Sequence, residues 1–209
     1  MKKAMDKLVS GLKINRKMLL FLIVLGLIAL IVGLIFVVIL NATDKSLIKD
    51  YLETFINNVD SGKLDYMQAL KNISISNYSY IIIAWLLGIS VIGIPITIFM
   101  YFMKCFMIGF SIASIIINFK LKGTLLAFIY VFPHHIINLI MYTVLILYSL
   151  TLSLKIGEAV LKKKSINFKL IINKYLLILI LSLIVITLMN LFEVYITPIL
   201  IKTILPIIN

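Results

Sequence analysis

The sequence predicts an all-α fold: a polytopic integral membrane helical bundle of about five transmembrane helices with its N-terminus inside. Three observations carry that expectation. Of 209 residues, 63% are hydrophobic and 13% charged, where a soluble domain is about half apolar and a quarter charged. Mean hydropathy is +1.17. Several apolar runs exceed the roughly 20 residues that cross a hydrocarbon core. In lipid such runs must be helices, because every backbone N–H and C=O needs a partner within the protein. Finally, most of the net charge of +12 sits in two blocks that flank apolar runs. The first is Lys2, Lys3, Lys7, Lys13, Arg16 and Lys17. The second is Lys155, Lys162, Lys163, Lys164, Lys169 and Lys174. Blocks of this kind anchor helices on the cytoplasmic side against anionic lipid, so nucleic acid is not the expected partner. The chain reads as one domain, 1–209, without repeats or low-complexity linkers, in a cell membrane.

Residues 1–17 read as a basic amphipathic segment on the inner surface, with Met5, Leu8, Val9 and Leu12 on one side. The first span is Met18 to Leu40, retained rather than cleaved. Gly26, Ala29 and Gly33 share one face of it, where small side chains let another helix approach closely. Residues 41–78 are the only substantial polar segment. Lys45, Lys49, Lys63 and Lys71 stand against Asp44, Asp50, Glu53, Asp60 and Asp65. Without a positive bias this segment is expected outside. Leu47, Ile48, Tyr51, Leu52, Phe55, Ile56 and Val59 recur at helical spacing. Thr43 or Asp44 is the expected cap, and Asp60-Ser61-Gly62 the end. A second amphipathic helix follows with Leu64, Met67 and Leu70. The amphipathic pair can pack on the bilayer, on its own bundle or on a partner, and Tyr51, Leu52, Phe55 and Ile56 of the first helix are the candidate partner surface. Asn41, Asn72 and Asn77 match the short N-x-[ST] pattern.

A second span is expected from about Tyr80 to Met103, with packing residues Ala84 and Gly88, an anchoring Trp85 at its outer end, and a kink at Gly93–Pro95. Lys104 marks an inner turn. A short third segment, Cys105 to Asn118, either a span or part of a re-entrant hairpin, carries Gly109 and Ala113, and Phe119 to Gly123 connects it to the next. The fourth covers about Thr124 to Leu154 and is broken at Pro133. The fifth starts near Ile171, reaches about Leu191, and continues into an apolar tail with Glu193 and Pro198. Five crossings put the C-terminus outside.

A soluble enzyme's constellation is missing: the chain has no Gly-rich phosphate loop, serine elbow or H-E-x-x-H pattern. The expectation is a protein without catalytic residues or cofactor. Cys105 is the single cysteine and reads as a packing residue. Pro133, His134, His135, Asn138 and Glu193 are the candidates for a polar intramembrane site, because ionisable groups inside a bundle are expensive and mark function by default. A metal is not expected there. Adjacent histidines diverge on a helix, and the nearest acids in sequence, Glu158 and Glu193, stand far along the chain.

Three stretches then resemble the stage II sporulation protein M family. They are Leu86-Leu-Gly-Ile-Ser-Val-Ile-Gly-Ile-Pro95 with Lys104 and Met107-Ile-Gly-Phe110, then Phe132-Pro-His134, then Glu193-Val-Tyr-Ile-Thr-Pro198. The resemblance covers most of residues 79–200. One departure is that His135 and Asn138 stand where many relatives outside the sporulation branch carry a small residue and a glutamate. The resemblance implies a non-enzymatic, multi-pass scaffold in the bacterial cell membrane. Its partners would be extracytoplasmic peptidoglycan hydrolases similar to stage II sporulation proteins D and P, which it would hold and localise during engulfment. The alternative reading is a permease-like subunit with its polar site at the Pro133–Asn138 break.

Overall fold

The computed structural model describes residues 15–131, 134–162 and 168–208. Pro133, Lys163, Lys164 and nearly all of the basic 1–17 segment lie outside them. Every element is helical: α1 (Arg16–Ile39), α2 (Ala42–Asp60), α3 (Tyr66–Leu87), α4 (Gly93–Val131), α5 (His134–Lys162) and α6 (Phe168–Leu191). A π-helical turn (Phe192–Ile196) then joins α6 to α7 (Thr197–Ile208). Four helical stretches are long and apolar enough to cross a membrane: Arg16–Ile39, Gly93–Lys120, His134–Leu161 and Ile171–Ile204. The membrane-protein fold class expected from composition is therefore observed.

The second and third spans are cut differently from the expectation. The chain turns at residues 88–92, and a 28-residue stretch, Gly93–Lys120, replaces the two expected segments around Lys104. Pro95 is the reason. It occupies the first turn of α4, where the backbone N–H groups have no helical acceptor anyway, so it starts a helix instead of kinking one. Lys104 consequently lies mid-helix rather than at a turn. The break expected at Phe119–Gly123 is a sharp bend at Lys120, which has a left-handed φ of 52°. Beyond it Gly123 folds back against Ile115 and Ile116.

α3 is too polar to count as a span by composition, yet it runs among the spans. Tyr142 bonds Asn77, Ser149 bonds Ala84 and Ser153 bonds Gly88, each pair 65 residues apart. A constant offset means that α3 and α5 run parallel and side by side. Against α6 the pairs Asn77–Asn190, Tyr78–Thr187 and Trp85–Tyr175 run in opposite senses, so those two helices are antiparallel. α1 and α4 form the most extensive helix pair and are parallel, since Gly26 faces Tyr101 and Gly33 faces Phe106 and Phe110.

The two ends of the bundle are chemically distinct. Met18, Trp85, Val91, Thr151, Gly157 and Tyr175 meet at one end, and Arg16, Lys17, Lys155 and Lys174 belong to it in sequence. Trp85 is thus at the opposite end from the one expected, stacked on Tyr175 with ring centroids 5.3 Å apart. α2 caps the other end. Asn41, not Thr43 or Asp44, is its N-cap, accepting from the Asp44 N–H at 2.7 Å. A side-chain oxygen one residue before the helix reaches an otherwise unpaired amide. Gly62, with a φ of 69°, turns the chain into α3.

The expected small-residue faces are the ones in use. Gly26, Ala29 and Gly33 are buried on α1. A Cβ on Gly33 would fall on the Phe106 carbonyl, and one on Gly109 would fall on the Leu30 carbonyl. The two backbones are in contact at these points. Ala84 and Ala113 are buried as well, and Gly88 abuts Ser149 and Tyr175. Cys105 is buried beneath Gly26.

Changing Gly33 or Gly109 to Ala should therefore destabilise the detergent-purified chain by about 1–3 kcal/mol, the usual cost of overpacking. Gly157→Ala meets only the Val91 methyls at ordinary distance and should leave the thermal midpoint unchanged or slightly raised. Equal effects at all three positions would contradict this packing.

Candidate functional site

Polar side chains inside an apolar bundle must find partners in the bundle, and here they converge. On α5, His134, Asn138 and Tyr142 recur every four residues, which places them on one stripe. All three are buried, His134 completely. Opposite them stand Ser74 and Asn77 on α3, Lys104 on α4, Asn190 on α6 and Glu193 on the π-helical turn.

Asn77 is the hub of the inner half of this cluster. Its Nδ2 donates to Asn190 Oδ1 at 2.7 Å. Its Oδ1 accepts from Lys104 Nζ at 3.1 Å and from the Tyr142 hydroxyl at 2.8 Å. Asn190 Nδ2 in turn donates to Ser74 Oγ at 3.4 Å. The Lys104 ammonium also lies 4.9 Å from the Tyr142 ring centroid and 5.4 Å from that of Tyr80. Those two rings pack edge to face at 4.7 Å. Amide oxygen and π-faces together replace the water that an ammonium loses on burial. Burial of Asn77 also removes it from any glycosylation role, which needs an exposed acceptor.

The outer half holds the residues singled out in the sequence. His134 Nε2 lies 3.8 Å from Glu193 Oε2. The His134 and His135 ring centroids are 4.3 Å apart, so the two imidazoles converge, contrary to the expected divergence. They open α5, and each ring is flanked edge-on by Tyr130 at 6.0 and 5.7 Å. Glu193, 59 residues from His134 in sequence, is brought in by the π-helical turn, whose extra residue per turn rotates side chains away from the α-helical register. Tyr195 stacks on Tyr66 at 5.7 Å and fixes that turn against the start of α3. Asn138, one turn after His134 on α5, is buried, and its Oδ1 has no hydrogen-bond partner.

A cleft of about 450 Å³ reaches this cluster from the side. Tyr80, Met100, Met103, Lys104, Ser111 and His135 are among its lining residues. The arrangement combines a lysine, a carboxylate and two imidazoles, and so can hold a proton, an ion or a small polar ligand at the edge of the cleft.

Residue spacing located His134, His135, Asn138 and Glu193. It missed Lys104, Asn77 and Asn190, although Ser74 and Asn77, and likewise Asn190 and Glu193, are three residues apart. That spacing of polar residues within apolar helices was the available signal.

The expected partner surface is changed by the structure. Leu52, Phe55 and Ile56 pack, with buried Val59, against Ile115, Leu126, Ala127 and Ile201 of the chain's own bundle. Phe55 meets Tyr130 edge to face at 6.1 Å. Of the four residues named, only Tyr51 is free, at 75% exposure, together with Leu47 at 62%.

A family model described as stage II sporulation protein M matches residues 18–198. No curated protein and no solved structure matches the chain.

Asn77→Ala leaves the Lys104 ammonium and the Tyr142 hydroxyl without their shared acceptor. It should cost about 2–3 kcal/mol in thermal unfolding, the price of stranding buried polar groups. Adding Lys104→Met to Asn77→Ala should recover a substantial part of the loss. Strict additivity of the two changes would show that the contact is not energetically coupled.

Proposed function

The chain belongs to the stage II sporulation protein M family, and from that membership we propose that it is a non-enzymatic membrane scaffold. In this reading it sits in the bacterial plasma membrane as a multi-pass protein. It anchors and localises extracytoplasmic peptidoglycan hydrolases, as in the engulfment step of sporulation. The observation that carries the reading is the way α2 is mounted. One face of α2 is fixed to the bundle by Leu52, Phe55, Ile56 and Val59. The other presents Leu47 and Tyr51, one turn apart and exposed. An exposed aromatic and leucine on a rigidly held helix are the side-chain types that act as anchors at protein interfaces. Arg16, Lys17, Lys155 and Lys174 at the opposite end face few acids, whereas Lys45, Lys49 and Lys63 around α2 stand among Asp44, Asp50, Glu53, Asp60 and Asp65, which supports placing α2 outside.

A second reading has its own observation. The cleft bordered by Lys104 and His135 suits a permease-like subunit that passes a small polar solute. Substitutions at His134 and Asn138 would then abolish flux without altering protein partners. Unchanged flux in all such variants removes this reading.

For the scaffold, Leu47→Glu combined with Tyr51→Glu should reduce co-purification of wall hydrolases about tenfold or more, equivalent to about 1.4 kcal/mol. Insertion and thermal stability should be unchanged, because neither side chain supports the core. Phe55→Glu should instead destabilise the chain itself. Undiminished recruitment by the Leu47/Tyr51 variant, in a membrane preparation where wild type recovers hydrolases, would count against this face.

A further inference from the structure

We propose that His134, His135 and Glu193 form a binding site for a divalent transition-metal ion of the Zn²⁺ class. This goes beyond the scaffold role and does not depend on it. One ligand atom from each of the three residues lies within 4.8 Å of the other two. Tetrahedral Zn²⁺ holds nitrogen at about 2.0–2.1 Å and carboxylate oxygen at about 2.0–2.2 Å. Those bond lengths put neighbouring donors about 3.3–3.5 Å apart. The 3.8 Å between His134 Nε2 and Glu193 Oε2 therefore closes with a small side-chain rotation.

Three further observations point to a ligand. Both ring nitrogens of His134 lack a hydrogen-bond partner although the residue is fully buried. At least one of them carries a proton or seeks one, so leaving both unmatched is costly. Asn138 Oδ1, one turn further along α5, is buried and unmatched as well. Finally, the only π-helical turn among the described residues is the one that carries Glu193 to the histidines, and such turns concentrate at functional sites.

The donor set decides the class of ion. Two imidazoles and one carboxylate suit Zn²⁺ and its first-row neighbours, whereas Ca²⁺ and Mg²⁺ call for oxygen ligands throughout. His135 lines the cleft, which supplies a route for the ion. Three protein donors leave a coordination position for water or a ligand arriving by that route. The bound ion would tie the start of α5 to the α6–α7 junction. The chain has two histidines in all, so no second imidazole site competes.

Lys104 is the opposing charge. Its ammonium interacts electrostatically with both Glu193 and His135 without being a ligand. Removing it should tighten cation binding.

The test uses the full chain in mild detergent with its purification tag removed. Zn²⁺ and Co²⁺ are the probes, read by metal content, by Co²⁺ d–d absorption and by thermal midpoint. Wild type is expected to bind one ion per chain, show the intense visible bands of a low-symmetry Co²⁺ site, and melt at higher temperature with Zn²⁺. His134→Gln, His135→Gln and Glu193→Gln should each weaken binding by at least ~10-fold and lose the Zn²⁺-induced shift. Lys104→Met should strengthen it. A folded wild type that takes up no Zn²⁺ or Co²⁺ overturns the proposal. So does uptake that survives all three ligand substitutions, since the ion would then sit elsewhere. If one variant fails to fold, the other two and Lys104→Met still decide the matter.

Discussion

A lysine inside an apolar bundle is the constraint on which the rest of this structure depends. Lys104 sits in the middle of α4, and its ammonium lies among side chains rather than at a membrane surface. Hydrocarbon offers it nothing, so the protein must provide every partner. Asn77 Oδ1 and the faces of Tyr80 and Tyr142 do so. Each of those groups makes its own demand. Asn77 needs Asn190, Asn190 reaches Ser74, and Tyr142 requires α5 to run beside α3 at a constant offset. One charge therefore specifies the relative register of four helices. Nonspecific apolar packing would allow them to slide.

Close approach on the other side of α4 makes that arrangement rigid. Gly33 and Gly109 bring the α1 and α4 backbones into contact, which holds Lys104 facing the remaining helices. In lipid there is little hydrophobic drive between helices, and van der Waals contact between small residues takes its place. α2 reaches the polar centre from the outside. Its Phe55 packs on Tyr130, and Tyr130 lies edge-on to both histidines. The helix that exposes Leu47 and Tyr51 is thus connected to the intramembrane cluster by two consecutive aromatic contacts, Phe55 to Tyr130 and Tyr130 to both imidazoles. A surface proposed for recruitment and a site proposed for an ion share one rigid support.

The last helix serves both halves of the cluster from one side. Asn190 and Glu193 are three residues apart, so on a helix they lie near one line. Asn190 meets Asn77, and Glu193, on the π-helical turn, meets His134.

The residues by themselves determined the solvent. A chain this apolar, with basic blocks flanking long runs of hydrocarbon side chains, has no alternative to helices in a membrane, because backbone hydrogen bonding forbids every open structure there. They also determined which faces pack closely, since Gly26, Ala29, Gly33 and Gly109 act through the absence of a side chain, and absence is readable. His134, His135, Asn138 and Glu193 stood out for the same reason: each is polar where its neighbours are not. Tertiary structure alone decided what those residues meet. Lys104 read as a turn because a charge in an apolar run is normally an interface marker, and hydropathy records its cost without its partners. Asn77 and Asn190 are 113 residues apart and carry no mark of belonging together. The histidines lie against Tyr130 and face Glu193, which is 59 residues further along the chain than His134. The reach of α2 back onto its own bundle, which covers Phe55 and leaves Tyr51 free, likewise depends on contacts with α4 and α7 that no local pattern contains.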